Sequence, residues 1–306
     1  MRVLVLAGGS SPEREVSLDS GECVAAAIRS MSHEVDMLDP ATTPILAINP
    51  GRWDIVFPVV HGTGGEDGLL QSELAAVGIP YVGSSQTASE LTFDKIRTNQ
   101  LAGENGFRVP DSVVVHSWPT LSEQQATVES LNAFEAGGVV TKPPRQGSSI
   151  GISIVRKLSE LRFALDLAFR YENRCLVERY IAGREVTVPV IDGVAFPAIE
   201  ICPSAEWYDY TAKYVDDRTR YVVSPPNMPD TLAQTAVDVC LLCGVEGIAR
   251  VDFRVDTAGC CWLLEINTVP GMTSHSLVPK SAAATGLSLG ELCEMAMLNQ
   301  LSRTAL

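Results

Sequence analysis

Residues 247–271 read GIARVDFRVDTAGCCWLLEINTVPG and contain the clearest structural pattern in the chain. An Asp-x-x-Gly turn at residues 256–259 lies between two runs of apolar and β-branched residues, which predicts a β-hairpin. A two- or four-residue loop at this turn sets the expected register, with Val251 opposite Leu264, Phe253 opposite Trp262 and Val255 opposite Cys260. One face of the hairpin is then wholly apolar.

The other face of this hairpin carries four polar residues, Arg250, Asp252, Glu265 and Asn267. The same register places Arg250 opposite Glu265, with Asp252 on the diagonal. Two carboxylates and an amide oxygen on one face are typical of a site for Mg²⁺. A solvated face with an Arg–Glu pair is the alternative. Asn is disfavoured in strands, and Asn267 directly precedes the Thr-Val-Pro-Gly segment at residues 268–271. An asparagine in this position favours the metal site over the solvated face.

Strands and helices alternate in the first third of the chain, which predicts a doubly wound parallel sheet. Ligands bind such sheets beyond the carboxyl ends of the strands, where glycine-bearing loops occur at residues 8–11 and 61–68. From about Thr87 onward the pattern changes, with a helix predicted over residues 88–105. Strands then predominate in the last third, with helices predicted near residues 231–243 and 290–301.

Composition excludes several classes of protein. The 306 residues include 23 Lys plus Arg and 37 Asp plus Glu, a net charge of −14, and this excess of acids disfavours nucleic-acid binding. No apolar run approaches the roughly 20 residues that span a membrane, and no signal peptide is evident, so a cytoplasmic protein is expected. The eight cysteines lack a disulfide-like spacing and are predicted to be packing residues.

Three further segments carry polar side chains in loops. Residues 142–151 form a Gly/Ser loop after Lys142 that would offer N–H groups and a charge to phosphate, although a simple turn is the alternative. Residues 178–185 place two acids around a chain break, which indicates either a hinge at a nucleotide cleft or surface ion pairs. Aromatic residues at 207–214 indicate a loop that covers a core or closes over a ligand, and residues 207–227 are predicted to be a mobile lid. His61 and His275 are the candidate histidines, and no catalytic nucleophile is evident.

Taken together, these segments resemble the D-alanine–D-alanine ligase family of the ATP-grasp superfamily. The resemblance follows the family's order along the chain, in residues 8–17, 61–68, 94–95, 142–151, 178–185, 208–214, 250–252 and 265–276. It implies an α/β protein in which a doubly wound N-terminal unit is followed by a two-part ATP-grasp fold of α+β type. The implied units are a pre-ATP-grasp domain at residues 1–85, a central ATP-grasp subdomain at 86–180 and a C-terminal ATP-grasp subdomain with the metal site at 181–306.

The resemblance also implies roles for individual residues. Contacts to ATP are implied for Lys95, Lys142, Ser148, Ser149, Glu178, Arg179, Ile181, Glu185 and Lys213. Asp252, Glu265 and Asn267 would hold two Mg²⁺ ions, which Mn²⁺ could replace. Glu13 would bind the ammonium of the first D-alanine, and Tyr214 would hydrogen-bond toward Ser148 and Glu13. Lys213 and Ser276 would lie near the carboxylate of the second D-alanine, and Arg250 with the Gly271 N–H would stabilise the oxyanion.

The implied activity is the ATP-dependent joining of two D-alanines through an acyl phosphate, for peptidoglycan synthesis, by a homodimer. Some residues depart from the family's pattern, namely Thr63, Pro189, Thr211 and Lys280. They leave open a specialised ATP-grasp amino-acid or peptide ligase with a different second substrate. A non-catalytic ATP-binding protein is the distant alternative, because all three implied metal ligands are present.

Overall fold

The computed structural model describes residues 1–135, 137–203 and 218–304. The first of its three sheets is parallel. The strand order is β2-β1-β3, with β1 at Arg2–Leu6, β2 at Glu34–Leu38 and β3 at Ile55–Pro58. Helices α1 (Arg14–Ser30) and α2 (Leu69–Val77) follow β1 and β3. Tyr81 extends the sheet through a parallel bridge to Val56.

Both faces of this sheet are buried at its central strand, β1, which explains the continuous apolar sequence of that strand. Val3 and Val5 belong to a core that includes Val24 of α1, whereas Leu4 and Leu6 belong to a separate core that includes residues of α2. Successive side chains of a strand point to opposite faces, so the two cores lie on opposite sides of the sheet. The prediction of a doubly wound parallel sheet is confirmed.

The helix predicted over residues 88–105 is two helices, α3 (Gln86–Phe93) and α4 (Lys95–Glu104). They separate at Asp94, whose carboxylate accepts hydrogen bonds from the N–H groups of Ile96 and Arg97. Aspartate at this position competes for backbone N–H groups and so begins a helix rather than continuing one. The prediction of a single helix is therefore wrong.

A second sheet of four strands is antiparallel, in the order β4-β7-β5-β6. Its strands are β4 (Ser112–His116), β5 (Val139–Lys142), β6 (Ser153–Val155) and β7 (Arg174–Arg179). Helices α5 (Leu121–Glu129) and α6 (Leu161–Ala168) contribute to its core through Val128 and Leu165. A capping box between Thr120 and Glu123 begins α5.

The third sheet has six strands, all antiparallel, in the order β11-β10-β8-β12-β13 with β9 beside β8. The strands are β8 (Arg184–Ile191), β9 (Val194–Ala195), β10 (Ile199–Cys202), β11 (Arg220–Val223), β12 (Ile248–Val255) and β13 (Cys261–Asn267). Helix α7 (Leu232–Leu242) packs on it, and Ala102 of α4 belongs to the same core. Two antiparallel sheets after a parallel one confirm the predicted α/β and α+β fold class.

The chain ends with two helices, α8 (Leu277–Ala284) and α9 (Leu289–Thr304). The sequence did not predict α8, which contains a proline. Pro279 occupies its third position, where a helix needs no backbone N–H donor, so the residue is compatible with the first turn. Leu292 and Met297 of α9 belong to the same core as Val3 of β1 and Val24 of α1, on one face of the parallel sheet.

The β12–β13 hairpin is present, but its register differs from the predicted one. Arg250 pairs with Asn267 and Asp252 with Glu265, and the register then shifts at a bulge between Asp252 and Phe253. Beyond the bulge Phe253 pairs with Leu263, so the buried face includes Leu263 and Ile266 rather than Leu264. An extra residue in one strand cannot be counted from the turn alone, which is why the predicted register is wrong.

All eight cysteines are free thiols, and Cys175, Cys240, Cys243, Cys261 and Cys293 are buried. Burial raises the pKa of Cys240 to about 12, so it is a neutral packing group at any physiological pH. Within the part of the chain that the structure describes, no helix is long and apolar enough to cross a membrane.

Two phenylalanines provide a test of how much the six-stranded sheet depends on its core. Phe253 of β12 is fully buried, whereas Phe163 of α6 is 77% exposed. We expect Phe253→Ala to lower the free energy of unfolding by about 3–5 kcal/mol and Phe163→Ala by less than about 0.5 kcal/mol. Urea unfolding followed by tryptophan fluorescence measures both. Equal unfolding midpoints for the two variants would contradict the assigned core.

Candidate active site

The polar face of the β12–β13 hairpin forms the centre of the site. The observed register places Asp252 directly opposite Glu265 and Arg250 directly opposite Asn267. Like charges directly opposed across two strands are destabilising unless cations neutralise them. The prediction that these four side chains share one face holds in spite of the changed register, and the two carboxylates are closer neighbours than expected.

Each of the two carboxylates is paired with a cation of the chain. Arg250 donates to both oxygens of Asp252 at 2.9 and 2.8 Å, and Lys95 Nζ lies 3.0 Å from Glu265 Oε2. Thr187 Oγ1 also donates to Asp252 Oδ1 at 2.6 Å. Burial alone would lower the pKa of Lys95, but the attraction of Glu265 outweighs it and raises that pKa above its usual value.

The donor set of this face fits Mg²⁺ but does not complete its coordination. Asp252 and Glu265 supply carboxylate oxygens and Asn267 an amide oxygen, which are the hard ligands that Mg²⁺ prefers. Among residues 1–135, 137–203 and 218–304, no group of three or more His, Cys, Asp or Glu could hold a metal. A site with so few protein ligands suits Mg²⁺, which is usually bound by one or two carboxylates together with substrate phosphates and water.

The loop at residues 142–151 lies beside this face and is held by α4. Lys95 donates from its backbone N–H to the Pro144 carbonyl at 3.1 Å and from Nζ to the Gln146 carbonyl at 2.9 Å. Asp94 accepts hydrogen bonds at 3.1 Å from Arg145 of the loop and from Arg174 of β7. Although burial would raise the pKa of Asp94, these two arginines lower it, so Asp94 is a fixed anion that holds the loop.

Two serines at the tip of this loop have unusual backbone conformations. Ser148 and Ser149 have φ values of 49° and 60°, in the left-handed region that non-glycine residues rarely adopt. Ser148 Oγ donates to Glu13 Oε1, which ties the tip to the beginning of α1. Strained loop residues that are held by such contacts cluster at ligand sites.

A narrow cavity of about 110 Å³ lies between the two antiparallel sheets. Val140, Ile154 and Leu264 supply apolar walls that suit a flat ring. At its polar end Glu178 is held by Lys142 Nζ at 2.7 Å and by Asn99 Nδ2 at 2.8 Å. The predicted nucleotide residues that line this cavity are Lys95, Lys142, Ser149, Glu178, Arg179, Ile181 and Glu185, together with Asp252 and Glu265.

A larger chamber of about 780 Å³ adjoins the hairpin on the side of α1. Lys95 and Glu265 line both the chamber and the narrow cavity, so the two spaces meet at this ion pair. The predicted residues that line the chamber are Glu13, Lys95, Ser148, Arg250, Glu265, Asn267, Gly271 and Ser276. Every predicted site residue that the structure describes therefore lines one of the two spaces.

The chamber also contains Glu66, whose importance was not inferred from the sequence. Glu66 is 8% exposed and accepts a hydrogen bond from the Gly62 N–H at 3.0 Å. Burial, together with repulsion by Glu13, raises the pKa of Glu66 to about 8. The glycine-rich loop at residues 61–68 was the available signal, but it does not indicate which of its acids is buried.

His61 begins the same loop and joins the first unit to the C-terminal part of the site. Its Nδ1 lies 2.8 Å from the Val269 carbonyl, and its Nε2 lies 3.1 Å from Ser20 Oγ. Because a carbonyl can only accept, Nδ1 carries the proton and Nε2 accepts from Ser20. Burial lowers the pKa of His61, so the ring is neutral. His275, the other candidate histidine, lines the chamber.

Two predicted site residues, Lys213 and Tyr214, lie outside the described residues, as does most of the predicted lid at residues 207–227. From the described remainder of that segment, Thr219 and Tyr221 line the chamber.

Comparisons with known proteins agree with this geometry. Residues 45–84 match the family model described as the D-ala D-ala ligase N-terminus, and residues 101–298 match the D-ala D-ala ligase C-terminus. The chain is 40% identical over 299 residues to a D-alanine–D-alanine ligase of Gloeobacter violaceus, covering 96% of this chain and 97% of the relative. A D-alanine–D-alanine ligase of Mannheimia succiniciproducens is 39% identical over 302 residues, covering 95% of each chain.

Solved structures give the same result. The crystal structure of the Bacillus anthracis D-alanine–D-alanine ligase superposes with a TM-score of 0.86 at 31% identity, covering 99% of this chain and 98% of that one. The same enzyme complexed with ATP gives 0.84 at 28% identity, covering the same shares of the two chains. The VanG D-Ala:D-Ser ligase of Enterococcus faecalis gives 0.81 at 28% identity, covering 98% of both chains. By the extent of these matches, the chain belongs to the D-alanine–D-alanine ligase family.

Proposed function

We propose that this chain is an ATP-dependent ligase that joins two D-alanines to give D-alanyl-D-alanine, ADP and phosphate. The observation that carries the proposal is the meeting of the two spaces at Lys95 and Glu265. A nucleotide whose ring occupies the narrow cavity would direct its phosphates toward this ion pair. Its terminal phosphoryl group would then face the chamber in which an amino acid can bind.

The residues of the narrow cavity would hold ATP with Mg²⁺. Lys95 and Lys142 would contact the phosphates together with Ser148, Ser149 and Lys213, while Glu178, Arg179, Ile181 and Glu185 would contact the adenosine. Asp252, Glu265 and Asn267 would hold the two metal ions, for which Mn²⁺ could substitute. When bound, these ions neutralise charge on the phosphates during phosphoryl transfer.

The chamber residues would hold the two amino acids. Glu13 would receive the ammonium of the first D-alanine, and its hydrogen bond from Ser148 fixes the position of its side chain. Ser276, with Lys213, would receive the carboxylate of the second D-alanine, and Tyr214 would extend the Ser148–Glu13 network. Phosphorylation of the first carboxylate makes it a good acyl donor, which the amine of the second amino acid then attacks.

Arg250 and the Gly271 N–H would stabilise the oxyanion that forms during this attack. Both line the chamber near the hairpin. The acyl phosphate on the substrate is easily hydrolysed, so exclusion of water is essential to the reaction. No covalent intermediate with the protein is required.

We propose that this product is used for peptidoglycan synthesis and that the enzyme acts in the cytoplasm. We also propose that the enzyme is a homodimer. The chain would be organised as units at residues 1–85, 86–180 and 181–306, each built around one of the three sheets. A ligase with a different second substrate is the alternative that the product experiment below distinguishes.

The proposal is tested by measuring phosphate release from ATP with a panel of D- and L-amino acids, single and in pairs. We expect release with D-alanine alone and D-alanyl-D-alanine as the product identified by mass spectrometry. Release that requires a second amino acid other than D-alanine would favour the alternative, and release with none would contradict the proposal.

One prediction of the proposed function concerns Glu265 as a metal ligand. Glu265→Gln removes one negative charge from a face that would hold two dications, so we expect turnover to fall roughly 100-fold or more at ordinary Mg²⁺ concentrations. Phosphate release measures the loss, and circular dichroism checks that the fold is retained. Glu129→Gln, at an exposed position of α5, is the matched control. A Glu265→Gln enzyme as active as this control would rule out the assignment.

Another prediction concerns the proton on Glu66. In the unfolded chain a glutamate ionises near 4.5, whereas Glu66 in the folded protein ionises near 8. Between these values the folded protein binds the additional proton, so the free energy of unfolding falls as the pH rises through this range. The slope from this group is at most about 1.4 kcal/mol per pH unit.

Glu66→Gln keeps an acceptor for the Gly62 N–H but cannot ionise. Its free energy of unfolding should therefore increase relative to that of the wild type as the pH rises from about 5 to about 8. Urea unfolding across this range without nucleotide measures the difference. The exposed-site variant Glu129→Gln should parallel the wild type. A constant difference between Glu66→Gln and the wild type would show that Glu66 is not protonated in the fold.

A further inference from the structure

Lys280 is a charged residue of the chamber to which the proposed function assigns no role. It lies in α8, four residues after Ser276, and both residues line the chamber. Ser276 is the N-cap of α8, and the Lys280 N–H donates to the Ser276 carbonyl at 3.3 Å, so Lys280 lies one turn behind Ser276. Its position relative to the proposed carboxylate site is therefore set by the helix.

The ammonium of Lys280 turns back over the beginning of α8. Its Nζ donates to the Ser274 carbonyl at 3.4 Å and to the His275 carbonyl, and it lies 5.4 Å from the centre of the Tyr221 ring. In the described ranges, no carboxylate forms an ion pair with it. Partial burial lowers the pKa of this lysine, in keeping with a cation that has lost water and gained no anion.

The charges of the chamber are arranged unevenly. Glu13, Asp19 and Glu22 line it on the side of α1. Among the described cations that line it, Lys95 and Arg250 are paired with Glu265 and Asp252, whereas Lys280 lines it on the side of α8 without a carboxylate partner. An amino acid carries one ammonium and one carboxylate. The second amino acid must present its amine as the nucleophile, so its carboxylate is the charged group that the protein can grip without hindering the reaction.

We propose that Lys280 is a specificity-determining residue, which supplies a positive charge that favours a free carboxylate on the second amino acid bound at Ser276. The inference rests on the proposed ligase function and names a determinant of its second substrate. Ser276 itself is neutral, and its Oγ is engaged with the N–H of Thr273 at 3.0 Å and with Thr273 Oγ1 at 2.9 Å. A neutral hydroxyl in this arrangement discriminates weakly between a carboxylate and an uncharged amide, whereas an ammonium discriminates strongly.

D-alaninamide is a suitable probe because it lacks the carboxylate. It cannot be phosphorylated as the first substrate, so it reacts only as the second. With D-alanine and D-alaninamide mixed in the presence of ATP, the ratio of D-alanyl-D-alanine to D-alanyl-D-alaninamide reports selection at the second position alone. The ratio does not depend on how much of a variant is folded.

We expect the wild type to favour the dipeptide and Lys280→Met to lower the product ratio about tenfold, with recovery in Lys280→Arg, which keeps the charge. Lys280→Gln serves as a second neutral variant of polar character. Lys157→Met replaces an exposed lysine that is distant from Lys280 in the sequence. It is the matched control and should keep the wild-type ratio.

An unchanged ratio in Lys280→Met and Lys280→Gln, even with slower turnover, would overturn the inference and show that Lys280 only tethers the carbonyls of residues 274 and 275. A wild type that makes neither product would instead overturn the proposed function. The two failures are thus distinguished by the wild-type reaction alone.

Discussion

The architecture of the site depends on the repulsion between two carboxylates that face each other across adjacent strands. Asp252 and Glu265 are direct partners in the β12–β13 hairpin, and such a pair requires nearby positive charge. Arg250 supplies it from the same strand, and Lys95 supplies it from α4. The second cation comes from a helix that is distant in the sequence and that also packs on the sheet through Ala102.

The position of Lys95 follows in turn from Asp94. The carboxylate of Asp94 begins α4 and binds Arg145 and Arg174, so the same residue orients the lysine and fixes the loop at residues 142–151. His61 has a comparable role on the other side of the chamber, where it connects Ser20 with the Val269 carbonyl. The site is therefore supported by buried polar contacts between segments that are far apart in the chain.

Local patterns in the sequence predicted what depends on neighbouring residues. The hairpin, its polar face and the alternation of the first sheet follow from the periodicity of apolar residues, and the fold class was correct. The exact register was not predictable, because the bulge adds a residue that only the packing of Leu263 and Ile266 requires. The break at Asp94 and the burial of Glu66 depend on tertiary contacts, so a helical pattern and a glycine-rich loop gave no sign of them.

The packing of α9 on the first unit has a consequence for synthesis on the ribosome. Val3, Val24 and Ile28 share their core with Leu292, Ala296 and Met297, which are translated almost 300 residues after the first strand. One face of the parallel sheet thus stays uncovered until α9 has been made. Apolar surface that remains exposed during synthesis is open to non-native association. The β2-β1-β3 sheet precedes the other two sheets in the sequence, but one of its two cores is completed only after both of them.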